Sequence, residues 1–333
     1  MYEWIKSFLE NRTQKVIVDG KQSTNRPVLS GVPQGTVMGP LLFLIYINDM
    51  SKGLDAATKL RLFADDSLLY RVIKTDEDQM KLQEDLNKLQ QWESTWKMEF
   101  HPKKCQVIRI TNKIHKKVHT YNIHGIQLEE TDSAKYLGIT IDNKMNWNTH
   151  INNICNKANA TLGFLRRNIY MCPPKVKEKC YEVYVRPTLE YCGSVWDPHT
   201  KSNIDKIERI QRRAARFVLN DYNYENNNNQ NLRNLEWIPL EERRAKNKVK
   251  LLFKAQSDLL SIPLNHLKRN NRSTRLKSNS SYQVPASRVD SHLHSFYPST
   301  IRLWDKVPES LKSLNSVDNF AKSLEGVTLR THY

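Results

Sequence analysis

Two adjacent aspartates, Asp65 and Asp66, interrupt the otherwise apolar run LFADDSLLY at residues 62–70. Neighbouring carboxylates repel each other, and burying either one without a partner costs several kcal/mol or more. A divalent cation would remove both penalties, because Mg²⁺ takes one or two carboxylates and keeps water and substrate phosphates as its other ligands. Two such ions stabilise the attacking hydroxyl and the leaving pyrophosphate in nucleotidyl transfer. The alternative is an exposed acidic turn, which the pair alone favours because aspartate is common in turns.

A glycine-containing loop, SGVPQG, lies upstream of the acidic pair at residues 30–35. Gln34 stands between Pro33 and Gly35, and the glycines at 31 and 35 allow another molecule's backbone or base to approach closely. Taken by itself, the loop is slightly better explained as a plain turn between a strand and a helix. The loop and the acidic pair together favour a nucleotide site.

The charge balance points towards a polyanionic partner. The chain has 333 residues, of which 52 are Lys or Arg and 35 are Asp or Glu, giving a net charge of +17. Such a surplus indicates nucleic acid first and an acidic membrane surface second, with an ordinary basic protein as the remaining alternative. The five cysteines form no CxxC pair, which argues for reduced thiols and against a disulfide framework or a zinc ribbon.

Four ordered motifs carry a resemblance to a known family. SGVPQGTVMGPLLFLIYINDM followed by LFADDSLLY resembles the reverse transcriptase of non-LTR (LINE-type) retrotransposons, most closely the jockey-like branch. WKMEFHPKKCQVIRI and KYLGITID follow in the order of that family's later palm segments, and YVRPTLEYCGSVWDP and TIRLWDKVP resemble its thumb and its end. The resemblance covers nearly the whole chain. It implies an RNA-directed DNA polymerase with two Mg²⁺ ions, an RNA template, a DNA primer and dNTPs.

The resemblance also implies roles for individual residues. Asp65 and Asp66 are the catalytic carboxylates, with Asp65 a metal ligand and Asp66 beside the primer end, supporting the metal site. Lys104 matches a lysine near the leaving pyrophosphate, where an ammonium can donate a proton or offset charge; the alternative is a solvated lysine. The residues expected at the nucleotide and template base are Pro33, Gln34 and Gly35, and those expected at the primer are Phe63, Ala64, Tyr136, Leu137 and Gly138. A simple core strand explains the last three equally well.

The elements that must position these residues follow from periodicity. Alternation around Asp19-Gly20 predicts a hairpin, and Pro40 with the apolar run to Ile47 predicts a buried helix. A second hairpin carries the aspartates, and apolar residues spaced three or four apart predict a helix over 76–96. CQVIRI and KYLGITID are each predicted to be a strand. This order predicts an α+β fold: a partial right-hand polymerase palm with a central antiparallel sheet, then a mainly helical thumb and C-terminal region.

Three regions are expected: a partial palm over 1–145, a helical thumb over 146–222, and a basic helical region with mobile loops over 223–333. The tract 223–231 is a polar break, and 267–281 is predicted to be a mobile loop. From 201 onwards, 24 basic residues face 13 acidic ones, a surplus of +11. The segment NIDKIERIQRRAARFVL at 203–219 is predicted to be a helix with its apolar residues along one side and four arginines mostly away from that side. The resemblance places these arginines along the phosphates of an RNA–DNA duplex, although a solvated face is equally expected: Arg209, Arg212, Arg213 and Arg216.

Two departures from the family pattern are mild: Thr36 stands where serine is usual, and His101 where asparagine is usual. A third metal-binding aspartate of the family belongs upstream of the position of Trp4, so the resemblance identifies the chain as N-terminally truncated. Two carboxylates hold two metals poorly, and losing one preorganised group commonly costs on the order of a hundredfold in rate. We therefore expect a magnesium site that is incomplete and a chain that is inactive alone.

Two alternatives remain open to the polymerase interpretation. The chain could be a non-catalytic remnant that grips RNA–DNA hybrids, or a two-metal nuclease, although Asp49 and Asp55 fit no further ligand pattern. No signal peptide is visible at the start, and LLFLIYI at 41–47 is too short to span a bilayer. We therefore expect an intracellular protein without a membrane partner, acting in the nucleus at the site of integration.

Overall fold

The computed structural model describes residues 1–114, 118–222, 230–265, 267–269 and 282–330. The chain separates into two compact units, Met1–Gly138 and Ile139–Tyr333. The predicted mixture of helices and strands is confirmed: the first unit carries the described strands except one, and the second unit is mainly helical.

The first unit alternates short strands with three helices among its described residues. Its elements are α1 (Tyr2–Leu9), β1 (Thr13–Gln14), β2 (Ile17–Val18), β3 (Lys21–Gln22), β4 (Arg26–Pro27), α2 (Gly39–Ile47), β5 (Lys59–Phe63), β6 (Asp66–Tyr70), α3 (Asp76–Trp96), a 3₁₀ turn (Pro102–Lys104), β7 (Gln106–Val107), β8 (Asn122–Ile123), β9 (Ile126–Gln127), β10 (Glu129–Glu130) and β11 (Ser133–Tyr136). The predicted helix over 76–96 is confirmed at both ends.

The start of α3 is fixed by a reciprocal pair of side chains. The Thr75 hydroxyl accepts a hydrogen bond from the Asp78 N–H, and the Asp78 carboxylate accepts one from the Thr75 N–H. This capping box satisfies two N–H groups that the first turn of a helix would otherwise leave unpaired. The helix then buries Leu86 and Leu89 in a core shared with Ile47 of α2.

The apolar run at 41–47 does form a helix, but the prediction that it is buried is only partly right. Ile47 is buried in the core, whereas Leu41, Leu44 and Ile45 are 52, 53 and 64% exposed. A helix that is apolar all round can bury only the stripe that its neighbours cover. Within the described part of the chain, that stripe packs on α3 and on the strands β5 and β6, which leaves the outer stripe to solvent.

The predicted central antiparallel sheet is instead a set of separate two-stranded sheets in the described residues. Strands β1 with β4, β2 with β3, β5 with β6, and β8 with β9 pair antiparallel, while β7 and β10 pair parallel. CQVIRI contributes only the two residues of β7. KYLGITID is not one strand, because Leu137 and Gly138 have φ of 46° and 83° and break it into β11 and β12.

The second unit begins with one strand and continues with helices. Its elements are β12 (Ile139–Asp142), α4 (Asn148–Asn168), α5 (Pro174–Cys180), a π-helical segment (Tyr181–Val185), α6 (Arg186–Glu190), α7 (Gly193–Trp196), α8 (Lys201–Leu219), α9 (Gln230–Asn234), α10 (Leu240–Gln256), α11 (Asp290–Leu293), α12 (Phe296–Trp304), α13 (Glu309–Lys312) and α14 (Val317–Leu324). No helix in the described residues is both long enough and apolar enough to cross a membrane.

Two apolar clusters form the core of the second unit, and α10 joins them. Leu240 at its start packs with α4 and α8, whereas Val249 and Phe253 pack with the C-terminal helices. The predicted docking of the segment TIRLWDKVP is confirmed, because Ile301 and Trp304 are fully or almost fully buried there. The polar tract and the mobile loop predicted at 223–231 and 267–281 lie largely outside the described residues.

A buried ionic cluster connects the two cores. Asp197, directly after α7, accepts hydrogen bonds from Arg244 Nε at 2.9 Å and Arg330 Nη2, and it pairs with Lys248 Nζ at 2.9 Å. The side chains of Asp197, Arg244 and Lys248 are at most 1% exposed. Burial raises the pKa of Asp197, but the charges of Lys248, Arg330 and Arg244 outweigh it and lower the pKa to about 2.

Candidate active site and nucleic-acid interface

The acidic pair lies at the tip of the hairpin that β5 and β6 form. Phe63 pairs with Asp66, so Ala64 and Asp65 are the two residues of the turn. Ala64 adopts a left-handed backbone with φ of 49°, which such a tight turn requires at one of its central positions. Both carboxylates are exposed, so the hairpin avoids the burial cost that the apolar flanking residues suggested.

Tyr136, at the end of β11, lies in the electrostatic field of Asp66. Burial raises the pKa of the Tyr136 phenol, and the negative charge of Asp66 raises it further. A carboxylate acts on a phenol in this way only at short range, because solvent screens charges at a distance. The structure therefore brings together two of the residues expected at the primer end, 70 positions apart in the chain.

The base of the hairpin is held by Arg71, which follows β6 directly. Its guanidinium pairs with Asp55 at 2.7 Å and Asp78 at 3.1 Å, donates to the Thr58 hydroxyl, and its side chain is only 4% exposed. The N–H groups of Lys74 and Thr75 lower the pKa of Asp78 most, and Arg71 lowers it further. Sequence reasoning missed this network, although an arginine after a strand and an aspartate in a capping box were visible signals.

The loop over 33–39 is shaped by the hydroxyl of Thr36. This hydroxyl donates to the Pro33 carbonyl at 3.1 Å and accepts from the Gly39 N–H at 3.0 Å. A serine hydroxyl could make the same two hydrogen bonds. Threonine in place of the family's usual serine therefore preserves the hydrogen bonding of this loop. Gln34 and Gly35 are exposed, and Gly35 has φ of 73°, which suits glycine.

The remaining expected residues lie outside the contacts of the hairpin tip. Lys104 ends the 3₁₀ turn over 102–104 with its side chain exposed. In the part of the chain that the structure describes, no hydrogen bond or ion pair joins Lys104 or the loop residues Pro33, Gln34 and Gly35 to Asp65 or Asp66. Phe63 is 63% exposed beside the turn, and Leu137 with Gly138 forms the turn after Tyr136.

Two adjacent exposed carboxylates suit Mg²⁺, which keeps several waters and is commonly bound through one or two carboxylates. Asp65 and Asp66 are the residues of this hairpin that could hold it. The described residues contain no group of three or more His, Cys, Asp or Glu side chains placed to bind one metal ion.

The four arginines of α8 lie away from its buried face, as the sequence predicts. Arg209 and Arg213 are exposed and Arg212 and Arg216 are half-buried, while Ile207, Ile210, Ala214, Phe217 and Val218 are buried. Arg213 donates to the Asn159 side chain of α4 at 3.3 Å, which orients its guanidinium. The arrangement presents a row of guanidinium groups that can bind phosphates.

Comparison with known proteins agrees with the resemblance predicted from the sequence. Residues 1–141 match the family described as "Reverse transcriptase (RNA-dependent DNA polymerase)". The chain is 29% identical over 231 residues to the "RNA-directed DNA polymerase from mobile element jockey" of Drosophila melanogaster, covering 66% of this chain and 25% of that protein. It is 29% identical over 230 residues to the jockey protein of Drosophila funebris, covering 66% of this chain and 25% of that protein.

A third relative is the "Probable RNA-directed DNA polymerase from transposon BS" of Drosophila melanogaster. It is 29% identical over 231 residues, which cover 65% of this chain and 25% of that protein. The chain thus spans about a quarter of the length of these curated relatives.

Proposed function

We propose that this chain is part of an RNA-directed DNA polymerase of a non-LTR retrotransposon, because residues 1–141 match the reverse transcriptase family and the chain is similar to the jockey-type proteins. Its reaction is nucleotidyl transfer from dNTPs to a DNA primer on an RNA template. In this proposal residues 1–145 form the partial palm, residues 146–222 the helical thumb, and residues 223–333 a basic helical C-terminal region. The observation that carries the proposal is the pair of exposed carboxylates at a tight hairpin turn, with the Tyr136 phenol in the field of Asp66.

In this proposal Asp65 and Asp66 bind magnesium at the hairpin tip. When bound, the metal neutralises the two carboxylates and stabilises the charge that develops on the phosphoryl oxygens. The stiff hairpin, held at its base by Arg71, limits how far the carboxylates can move. Preorganised charge of this kind is a large share of the catalysis in such sites.

The surrounding residues take the roles that the family resemblance implies. Pro33, Gln34 and Gly35 line the pocket for the nucleotide and template base, and Lys104 offsets charge on the leaving pyrophosphate. The residues that contact the primer are Phe63, Ala64, Tyr136, Leu137 and Gly138. Ala64 leaves room beside the turn, because its side chain is a single methyl group.

The arginines of α8 bind the backbone of the RNA–DNA duplex. Support for this comes from their common position away from the buried stripe of α8, with Arg209 and Arg213 exposed and Arg212 and Arg216 half-buried. Contacts with phosphates displace counterions, so binding falls steeply as salt rises. In this proposal the partners are the template RNA, the primer and dNTPs. The proposed reaction on chromosomal DNA takes place in the nucleus.

A third carboxylate completes the metal site in the family, and we propose that a segment outside these 333 residues supplies it. The competing function is a non-catalytic remnant that binds RNA–DNA hybrids through the α8 arginines. Both functions require nucleic-acid binding, so only catalysis separates them.

Primer extension on an RNA template tests the proposal. The 333-residue chain and a version extended upstream in its reading frame are assayed with Mg²⁺. We expect incorporation by the extended version, a loss on the order of a hundredfold or more in its Asp65→Asn variant, and little activity of the short chain.

Asp19→Asn is a matched control, because Asp19 is also exposed in a two-residue hairpin turn, between β2 and β3. Robust incorporation by the short chain would show that the site is complete without a third carboxylate from elsewhere. Equal activity of Asp65→Asn and Asp19→Asn would overturn the assignment of the acidic pair, and inactivity of every version would favour the binding remnant.

A further inference from the structure

Helices α4 and α8 run side by side in the same direction. Three cross-links show this, because their positions advance together along both helices. The pairs are Asn203 with Asn148 at 2.7 Å, Lys206 with Asn152 at 3.0 Å, and Arg213 with Asn159 at 3.3 Å. The C-terminal ends of α4 and α8 therefore lie next to each other.

An open cleft of about 460 Å³ lies at this common end. This volume falls within the roughly 300–1,000 Å³ of small-molecule sites. Its walls combine cationic, aromatic and amide side chains: Arg166, Arg167, Tyr170, Phe217, Asn220 and Tyr222. Gly163 of α4 also lines the cleft, and a methyl group placed there would meet only the Arg167 guanidinium, at 3.6 Å.

The exposed groups of the cleft match the two parts of a nucleotide. Tyr170 and Tyr222 are 62 and 48% exposed, so both rings are available to a planar base. The Arg166 guanidinium lies over the Tyr222 ring, 5.8 Å from its centroid. A guanidinium over a ring can still donate hydrogen bonds to phosphate from the N–H groups at its edge. Arg167 adds a second exposed guanidinium on the next position of α4.

A buried ammonium lies behind the wall of the cleft. Lys177 of α5 is fully buried, donates to the Asn220 side chain at 2.8 Å, and lies 5.0 Å from the centroid of the Phe217 ring. The C-termini of helices carry partial negative charge, on the order of half an elementary charge each. Arg166 and Arg167 line the cleft and Lys177 lies behind its wall, so three cations can offset this partial charge.

We propose that this cleft binds one nucleotide of a single-stranded nucleic acid, with the base on the tyrosines and the phosphate on Arg166 and Arg167. Stacking on aromatic rings combined with backbone contacts to arginine is how single strands are held without sequence preference. The inference rests on the proposed function only in taking nucleic acid as the partner class. It adds a single-strand site at the C-terminal ends of α4 and α8, and none of the four duplex-binding arginines of α8 lines this cleft.

The test fills the cleft without changing its charge. Gly163→Leu places a strong helix former in the middle of α4 and projects its side chain into the cleft. We expect at least a tenfold loss of affinity of the full chain for a fluorescent single-stranded oligothymidylate, with binding of an RNA–DNA duplex unchanged. Circular dichroism and thermal melting show whether the variant is folded.

Two surface variants keep the proposal testable if Gly163→Leu does not fold. Tyr170→Ala should weaken single-strand binding about tenfold with the same salt dependence, because it removes stacking. Arg167→Gln should lower the slope of log affinity against log salt by about one. The matched controls are Tyr184→Ala, an equally exposed tyrosine on another segment, and Lys157→Gln, an exposed cation of α4 outside the cleft.

Each result bears on the proposal. Wild-type affinity for the oligothymidylate in Tyr170→Ala, or equal losses in Tyr170→Ala and Tyr184→Ala, would overturn it. Displacement of the oligothymidylate by an equal concentration of thymidine monophosphate would overturn the assignment to a strand. Failure here would leave the polymerase proposal intact, because that proposal is tested separately through Asp65.

Discussion

The Tyr136 phenol lies in the electrostatic field of the Asp66 carboxylate, which raises its pKa beyond the rise that burial causes. The two residues come from the hairpin tip and from the last strand of the first unit, so their proximity is a product of the fold. It provides an optical readout of the candidate active site that does not depend on catalysis.

Replacing Asp66 with asparagine should lower the pKa of Tyr136, because the negative charge that disfavours the phenolate is removed. The difference between ultraviolet titrations of the folded chain with and without Tyr136→Phe isolates this phenol from the other tyrosines and measures the change. Asp65→Asn is the matched control, since Asp65 is not among the causes of the shift. Unchanged titration in Asp66→Asn, or the same change in both variants, would contradict the proximity of the two side chains.

Reversing the charge of Arg212 and Arg213 to glutamate should weaken binding of an RNA–DNA duplex and flatten its dependence on salt. Each lost phosphate contact lowers the slope of log affinity against log salt by about one. Asp65→Ala should leave binding nearly intact. The control is charge reversal to glutamate at the exposed Lys175 and Lys322, which changes the net charge by the same amount. An unchanged salt slope in the arginine variant would refute the role of α8.

Asp197→Asn should destabilise the second unit by about 3–5 kcal/mol, because it leaves buried cations without their counter-charge. Urea unfolding near neutral pH measures the loss, with the half-buried Asp205→Asn as control. Adding Lys248→Met to Asp197→Asn should recover part of the stability, since one unpaired charge is then removed. Equal stability of the two asparagine variants would argue against the buried cluster.

The pH dependence of stability follows from the same cluster. The pKa of Asp197 in the folded chain is about 2, below the value of 3.8 for a free aspartate. Its stabilising contribution is therefore fully present above pH 4 or so and is lost as the pH falls towards 2. The stability difference between wild type and Asp197→Asn should shrink over this interval, and a constant difference would contradict the ionic origin of the effect.

Replacing each of two helical glycines with alanine should change the stability of the chain in opposite directions. A methyl group on Gly39 would meet the Pro33 carbonyl oxygen at 2.5 Å, so we expect a loss of about 1–3 kcal/mol, as for overpacked cores. At Gly163 the nearest atom is the flexible Arg167 Nη1 at 3.6 Å, so alanine should stabilise α4 by up to about 1 kcal/mol. Chemical denaturation of both variants tests the pair, and a shared sign would contradict one of the two local geometries.

Much of the local structure could be predicted from the sequence because its signals are local. The spacing of apolar residues over 76–96 predicted α3, and the spacing of Ile207, Ile210 and Ala214 predicted which face of α8 is buried. Two-residue turns predicted the hairpins, and the ordered motifs predicted the resemblance with which the family match over residues 1–141 agrees. These patterns depend on backbone periodicity and turn chemistry, which neighbouring residues fix among themselves.

Only the tertiary structure decided which distant residues meet. The proximity of Tyr136 and Asp66, the cations around Asp197, the exposed stripe of α2 and the cleft beside Gly163 each depend on packing between segments far apart in the chain. Such contacts form when the burial and pairing of two segments outweigh the entropic cost of closing the loop between them. A periodic pattern within one segment does not indicate which distant segment it will contact.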